Sequence, residues 1–138
     1  MERSDEVRDV LSSLIKTFGT EQMGPAFTDR TSSEPGTLVI GTDAREWWDT
    51  PDSLFRALKA QGEELQGATA TVSHAEGWVE GDVGWGAVKV DVAVPGAPTA
   101  SMRFTATLAP RSGGWKIVQG HASVGAPNEE VVGKDLTV

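Results

Sequence analysis

The segments SMRFTATL at residues 101–108 and WKIVQGHASV at residues 115–124 decide the fold. Both alternate between apolar and polar side chains, which is the pattern of a strand with one face against a core. Residues 109–114 between them contain the Pro, Ser and Gly that favour a hairpin connection. The two segments are therefore predicted to form an antiparallel hairpin with one apolar face and one polar face.

Pairing the two segments about the centre of the loop predicts their register. The apolar face then contains three pairs: Met102 with Ala122, Phe104 with Gly120, and Ala106 with Val118. The polar face contains two pairs: Arg103 with His121, and Thr105 with Gln119. A slip of one residue would move one member of each pair to the other face.

Two long helices are predicted before these strands, one over residues 4–18 and one that begins at Pro51. Their apolar side chains recur at helical spacing, and Thr50 with Pro51 has the pattern of a helix cap and a first helical position. Between the helices we expect one or two helical turns within residues 20–37 and a short strand at residues 38–40.

Beyond the second helix the pattern changes to strands, predicted at residues 68–75, 78–94, 101–108 and 115–124. Helices followed by strands indicate an α+β fold in which the helices cover one face of an antiparallel meander.

Within residues 78–94 the alternation of apolar side chains changes phase near Ala87, so that the face they point to switches there. Either a β-bulge bends the strand there, or the strand is buried on both faces.

Composition restricts the class of protein. Hydrophobic residues at 38% and charged residues at 23% are typical of a globular chain, and 138 residues suit one domain with a tail at residues 126–138. Residues 1–9 are charged where a secretory signal has an apolar segment, and no apolar run reaches the roughly 18 residues of a membrane span. We expect a single cytoplasmic domain with no membrane partner.

Charge and motifs exclude further partners and cofactors. A net charge of -8 repels phosphate backbones, so no nucleic-acid partner is expected. The chain has no cysteine, and its two histidines have no zinc-ligand spacing. No phosphate loop or dinucleotide fingerprint is present either. The sequence therefore predicts neither a metal site nor a cofactor.

The order of the elements resembles the nuclear transport factor 2-like superfamily, and in particular its SnoaL-like branch. Four segments carry the resemblance: GTDAREWW at 41–48, GDVGW at 81–85, MRFT at 102–105 and GGWKIVQGHAS at 113–123. The resemblance implies a cystatin-like α+β fold, with N-terminal helices packed on a strongly bent antiparallel sheet that forms a cone-shaped pocket. It also implies a homodimer formed through the sheet.

The resemblance implies small-molecule chemistry, because the superfamily includes polyketide cyclases, ketosteroid isomerases, dehydratases and ligand-binding proteins. Catalysis in such pockets needs a base and a donor for the developing oxyanion. The candidate catalytic bases are Asp43, Glu46 and His121. The candidate donors and ligand-binding residues are Arg103, Arg45, Trp47, Trp48, Trp85 and Ser123. The chain has no tyrosine, so the phenol donor of ketosteroid isomerases and scytalone-type dehydratases is missing.

Several candidates also have a purely structural interpretation. His121 could be a strand residue at a dimer interface, and Arg103 could pair with a carboxylate that fixes the sheet. Trp47 and Trp48 are adjacent and point in different directions, so at most one of them is expected to line a pocket.

Three hypotheses about function follow from the sequence. The first is a homodimeric domain that binds a small hydrophobic organic molecule without converting it. The second is a SnoaL-like polyketide cyclase, isomerase or lyase that uses acid/base chemistry without a cofactor. The third is a protein-interaction module that acts through its sheet. A convergent carboxylate or histidine with a donor, all reachable from a cavity, distinguishes the second hypothesis from the first. A filled cavity and an exposed apolar sheet face favour the third.

Overall fold

A computed structural model describes all 138 residues of the chain, and its elements follow the predicted order. The helices are α1 (Asp5–Ile15), α2 (Met23–Arg30), α3 (Pro51–Glu64) and α4 (Asn128–Val132). The strands are β1 (Glu2–Arg3), β2 (Leu38–Ile40), β3 (Trp47–Trp48), β4 (Thr69–Glu80), β5 (Val83–Ala93), β6 (Ala100–Arg111) and β7 (Gly114–Val124). None of the four helices combines the length and the apolar character that crossing a bilayer requires.

All seven strands form one curved sheet in the order β1-β4-β5-β6-β7-β2-β3. Neighbouring strands are antiparallel with one exception, since β2 runs parallel to β7. The first three helices pack against one face of the sheet, which we call the inner face, and the opposite face is the outer face. The predicted α+β, cystatin-like architecture is confirmed, with a mixed sheet in place of a purely antiparallel one.

Helix α1 begins and packs as its sequence predicts. The side chain of Ser4 caps the helix by accepting a hydrogen bond from the N–H of Val7, and two acidic residues in the first turn favour the positive end of the helix dipole. Its apolar stripe is buried against the sheet, including Val7 and Leu11, neither of which is accessible to solvent. Burial of this stripe anchors the helix on β4 and β5.

Helices α2 and α3 pack closely against each other. Thr50 caps α3 by accepting a hydrogen bond from the N–H of Ser53, and Pro51 occupies the first turn. Glycines allow the close approach: a Cβ at Gly24 would lie 3.0 Å from the backbone nitrogen of Lys59, and one at Gly62 would lie 2.6 Å from the carbonyl oxygen of Thr20. The helix pair thereby covers the part of the inner face that α1 leaves open.

The prediction of one strand over residues 78–94 is wrong. The chain turns at Gly81 and Asp82, so that β4 and β5 form a hairpin in this region. No bulge occurs at Ala87, because β5 keeps one phase throughout and alternates between an inner and an outer face. The apolar side chains change phase in the sequence because the first inner positions of β5 are the buried glycines Gly84 and Gly86, which have no side chain. The register irregularity lies in β4 instead, between Val72 and His74.

The predicted faces of the β6–β7 hairpin are correct except at Val118, whose predicted place on the apolar face is taken by Ile117, and the predicted partners are wrong by two residues. Phe104 pairs with Ala122, and Arg103 pairs with Ser123 instead of His121. Two features cause the shift. A tight turn at residues 112–113 pairs Arg111 with Gly114, and an extra residue, Val118, then bulges out of the ladder. A shift of two residues preserves which face each side chain occupies.

We predict that Gly77→Ala destabilises the fold by about 1–3 kcal/mol, the usual range for overpacking. A Cβ at this position of β4 would meet the backbone nitrogen of Arg8 and would lie 2.6 Å from the carbonyl oxygen of Ser4. Backbone atoms cannot rotate away, so α1 would have to lift from the sheet. Urea denaturation measures the free energy of unfolding.

Gly125→Ala is the matched control, because its Cβ would have the carbonyl oxygen of Ser101 at 3.8 Å as its nearest neighbour. We expect its free energy of unfolding to stay within about 0.5 kcal/mol of the unmodified chain. Equal stability of the two variants would contradict the close packing of α1 on β4.

Candidate functional site

A cavity of about 60 Å³ lies between the inner face of the sheet, the first three helices and the loop that joins β2 to β3. This volume exceeds the roughly 10–15 Å³ that one water molecule needs and is far below the roughly 300–1,000 Å³ of a drug-sized site. Eleven of its 15 lining residues are hydrophobic. The lining residues are Ile15, Phe18, Met23, Phe27, Val39, Ile40, Gly41, Thr42, Glu46, Trp48, Leu58, Gln61, Met102, Phe104 and Ala122.

The apolar wall of the cavity includes three phenylalanines in edge-to-face contact. The ring of Phe27 lies 6.3 Å from that of Phe18 and 6.1 Å from that of Phe104, with interplanar angles of 74° and 77°. Such T-shaped pairs are favourable because the positive edge of one ring faces the negative face of the other. The wall is therefore held in place by its own contacts.

Glu46 is the one ionisable residue that lines this cavity. Its Oε2 accepts a hydrogen bond from Nε2 of Gln61 at 2.6 Å, and its Oε1 accepts one from the backbone N–H of Asp43 at 2.8 Å. Gly41 makes room for this side chain, because a Cβ there would lie 2.5 Å from Oε1 and 2.8 Å from the Cβ of Glu46. The carboxylate is thus fixed from two sides.

The loop that precedes β3 is held by a second carboxylate. Asp43 accepts hydrogen bonds at Oδ1 from the backbone N–H of Arg45 at 2.8 Å and from its Nε at 2.9 Å, and at Oδ2 from Nη2 at 3.2 Å. The hydrogen bond from the Arg45 side chain, followed by that from its backbone, lowers the pKa of Asp43 to about 2. Both residues are exposed, so this pair organises the loop without entering the cavity.

Gln61 is a site residue that the sequence did not single out. It follows Leu54 and Leu58 on the apolar stripe of α3, at the next position of helical spacing. A polar residue on an otherwise buried stripe is a signal that could have identified it, because buried amides need a hydrogen-bond partner.

The remaining predicted site residues divide between the two faces of the sheet. Trp48 lines the cavity, whereas Trp47 is 61% exposed, as expected for adjacent residues on a strand. Four others lie on the outer face, away from the cavity: Trp85, Arg103, His121 and Ser123. Among the predicted bases and donors, the structure brings only Glu46 and Trp48 to the cavity.

The residues on the outer face have their own contacts. Nε of Arg103 donates to Oγ of Ser123 at 3.4 Å, and the exposed His121 lies opposite Thr105. The ring of Trp85 stacks on that of Trp78, with centroids 6.2 Å apart and an interplanar angle of 17°. Nowhere in the chain do three or more His, Cys, Asp and Glu side chains converge as metal ligands would.

We predict that Arg45→Ala raises the pKa of Asp43 from about 2 toward the ordinary value of about 3.9. Carbon-detected NMR of the Asp43 carboxyl, followed from pH 1.5 to pH 6, measures the change. Because the folded pKa lies below the unfolded value, this pair stabilises the fold above about pH 4 and loses that contribution as the pH falls toward 2.

Arg56→Ala is the control, because Arg56 forms an ion pair with Asp52 on α3. This substitution removes the same charge from another part of the chain. It should leave the titration of Asp43 unchanged. An ordinary pKa for Asp43 in the unmodified chain would contradict the ion pair.

Comparison with known proteins agrees with this architecture. No curated protein sequence matches the chain. A nuclear transport factor 2-like superfamily protein from Salmonella enterica serovar Typhimurium has a similar structure, with a TM-score of 0.75, 16% identity and 95% of each chain covered.

Two further solved structures share the fold. A protein of unknown function with a cystatin-like fold from Nostoc punctiforme superposes with a TM-score of 0.70 at 12% identity, covering 91% of this chain and 96% of that one. A candidate ketosteroid isomerase from Parabacteroides distasonis gives a TM-score of 0.68 at 16% identity, covering 90% of this chain and 92% of that one.

Sequence comparison with protein families is more specific than these structural likenesses. The model of the SnoaL-like domain matches residues 7–127, from the first turns of α1 to the end of the sheet. The chain belongs to the SnoaL-like domain family.

Proposed function

We propose that the chain binds a small organic molecule in the cavity on the inner face, with Glu46 as its principal polar contact. The observation that carries the proposal is the hydrogen-bonded pair of Glu46 and Gln61 in a wall that is otherwise mostly apolar. Burying polar groups costs free energy unless they are hydrogen-bonded, and ligand sites combine an apolar lining with a few such groups.

The size of the cavity limits the ligand. A volume of about 60 Å³ suits a compact molecule, or one apolar group of a larger molecule that extends out past Thr42. Thr42 is exposed and lies at the rim, whereas Phe104 at the other side is buried. The ligand would therefore enter beside the β2–β3 loop.

A second candidate is acid/base catalysis of the isomerase, cyclase or lyase type. It is favoured by one observation, that the carboxylate of Glu46 lines the cavity and could take a proton from a bound molecule. The only amide donor beside it, Nε2 of Gln61, gives one of its two N–H groups to Glu46 and keeps one for a developing oxyanion. Recovering the ligand unchanged after prolonged incubation favours the binding function, and conversion that Glu46→Gln abolishes favours catalysis.

We propose in addition that two copies of the chain associate as a homodimer. Large aliphatic side chains remain exposed at the end of β7 and in the segment after it, namely Val124, Val131, Val132 and Leu136. These four side chains lie within residues 124–136, and an exposed cluster of apolar side chains is typical of an interaction surface. Light scattering coupled to gel filtration should give twice the 14.6 kDa mass of one chain, and a mass of 14.6 kDa at micromolar concentration would contradict the dimer.

We predict that Ala122→Leu weakens binding of small ligands at least about tenfold, or about 1.4 kcal/mol. Ala122 lies on the inner face of β7 and lines the cavity, so three additional carbons occupy the space that the ligand needs. Binding is measured with a set of compact fragments of about four to six heavy atoms, from chemical-shift changes of the methyl groups that line the cavity.

Thr105→Leu is the matched control, because Thr105 lies on the outer face of the neighbouring strand and is exposed. It should bind the same fragments as the unmodified chain. Fragments that bind equally well to Ala122→Leu would show that they occupy another place.

A further inference from the structure

Resting on the proposed binding function, the polar end of the cavity also restricts the class of ligand. We call the side chains of Glu46 and Gln61 the acceptor end, because both residues line the same cavity and both side chains carry oxygen acceptors. The rest of the lining is apolar except for Gly41 and the rim residue Thr42. The polar group of the ligand must therefore form its hydrogen bonds with these two side chains.

Counting hydrogen-bond positions shows what the acceptor end lacks. Each carboxylate oxygen of Glu46 accepts one hydrogen bond, from Gln61 and from the N–H of Asp43. A carboxylate oxygen can accept two, so both oxygens keep a free acceptor position. Gln61 must turn its nitrogen toward Glu46 because a carboxylate has no proton to give. Its own carbonyl oxygen is then a third free acceptor, and the second N–H of its amide is the one free donor beside them.

The charge of Glu46 is also without an ion-pair partner. The eight ion pairs in the structure do not include it. The nearest cation along the chain, Arg45, is bound to Asp43. The pKa of Arg45 is raised chiefly by its hydrogen bond to Asp43, with the charge of Glu46 as the least of the contributions. Arg45 therefore has its ion pair with Asp43 and not with Glu46.

We propose that the cavity selects compact apolar molecules that end in a hydrogen-bond donor, with a protonated primary amine preferred and a carboxylate rejected. An ammonium group has three donors and no acceptor, which complements the three free acceptor positions. A hydrogen bond between charged groups is roughly twice as strong as a neutral one. A ligand carboxylate would place a second negative charge beside Glu46 and leave its acceptors unpaired.

The apolar body of the ligand would contact the phenylalanine wall formed by Phe18, Phe27 and Phe104. This wall and the acceptor end line the same cavity, so one small molecule can reach both. A branched carbon skeleton of about four carbons suits the volume of about 60 Å³. The ligand class is therefore a short branched alkyl amine or the corresponding end of a larger molecule.

The test compares three molecules that share one carbon skeleton: isobutylamine, isobutanol and isobutyrate. Each is titrated into the full chain at pH 7 and 0.15 M salt, and the methyl shifts of cavity residues give the dissociation constants. We expect isobutylamine to bind at least about tenfold more tightly than isobutanol, since a charged hydrogen bond contributes more than a neutral one. Isobutyrate should give no saturable shift.

Glu46→Gln removes the charge while keeping the size of the side chain. It should abolish the advantage of the amine and leave isobutanol within about threefold of its original affinity. The matched control is Glu63→Gln, which removes the same charge from α3 at a residue that does not line the cavity. This control should keep the full preference for the amine.

A second variant guards against loss of folding in Glu46→Gln. Gly41→Ala would place a Cβ 2.5 Å from Oε1 of Glu46 and displace the carboxylate without changing the charge of the chain. It should also reduce the amine advantage, and the amide NMR spectrum of each variant verifies that the fold is retained.

Three outcomes would overturn the proposals, and they are distinct. Binding of isobutyrate as tightly as isobutylamine would contradict the selection while leaving the binding function in place. Equal loss of the amine preference in Glu46→Gln and Glu63→Gln would assign it to the overall charge of the chain. No shift of any cavity methyl with any of the three molecules would overturn the binding function itself.

Discussion

The contact of α1 with the glycines of β4 and β5 is the constraint on which the rest of the structure depends. With no side chains at Gly77, Gly84 and Gly86, the first turns of the helix lie directly on the sheet, and Leu11 fills the space above Gly86. Because the start of α1 is fixed there, its last residue, Ile15, lies at the cavity. The apolar volume between sheet and helices is therefore closed at one end of α1 and open at the other.

The boundaries of the cavity depend on two further glycines. Gly120 of β7 allows the ring of Phe104 to lie over the strand, because a Cβ there would be 3.0 Å from the tip of that ring. Gly41 does the same for the carboxylate of Glu46. In both places the absent Cβ gives a larger side chain a fixed position, so the shape of the cavity is determined as much by glycines as by the residues that line it.

Periodicity predicted the helices, most strands and, apart from Val118, the faces of the β6–β7 hairpin, because each of these is a local property of the chain. The strand partners could not be predicted in the same way, since the bulge at Val118 leaves no signature in the alternation of residues.

The site also combines residues that the sequence could identify with contacts that it could not. Glu46 was identified through a resemblance, but its partner Gln61 lies 15 residues away on another element, and only the packing of α3 brings them together. His121 and Arg103 were correctly placed on one face of the sheet, but which face adjoins the cavity is a tertiary property that the sequence does not encode locally.

Asp43 and Glu46 show how two carboxylates three residues apart acquire different roles. Asp43 is exposed and is neutralised by Arg45, which also supplies the hydrogen bonds that lower its pKa to about 2. Glu46 accepts hydrogen bonds only from neutral N–H donors, from the loop backbone and from Gln61, and lies beside an apolar wall. The first pair fixes the backbone that supplies the N–H of Asp43 to Oε1 of Glu46. Removing Arg45 would therefore loosen the second carboxylate through the loop, although Arg45 itself does not line the cavity. In this loop Asp43 fixes the backbone, whereas Glu46 remains available to a ligand.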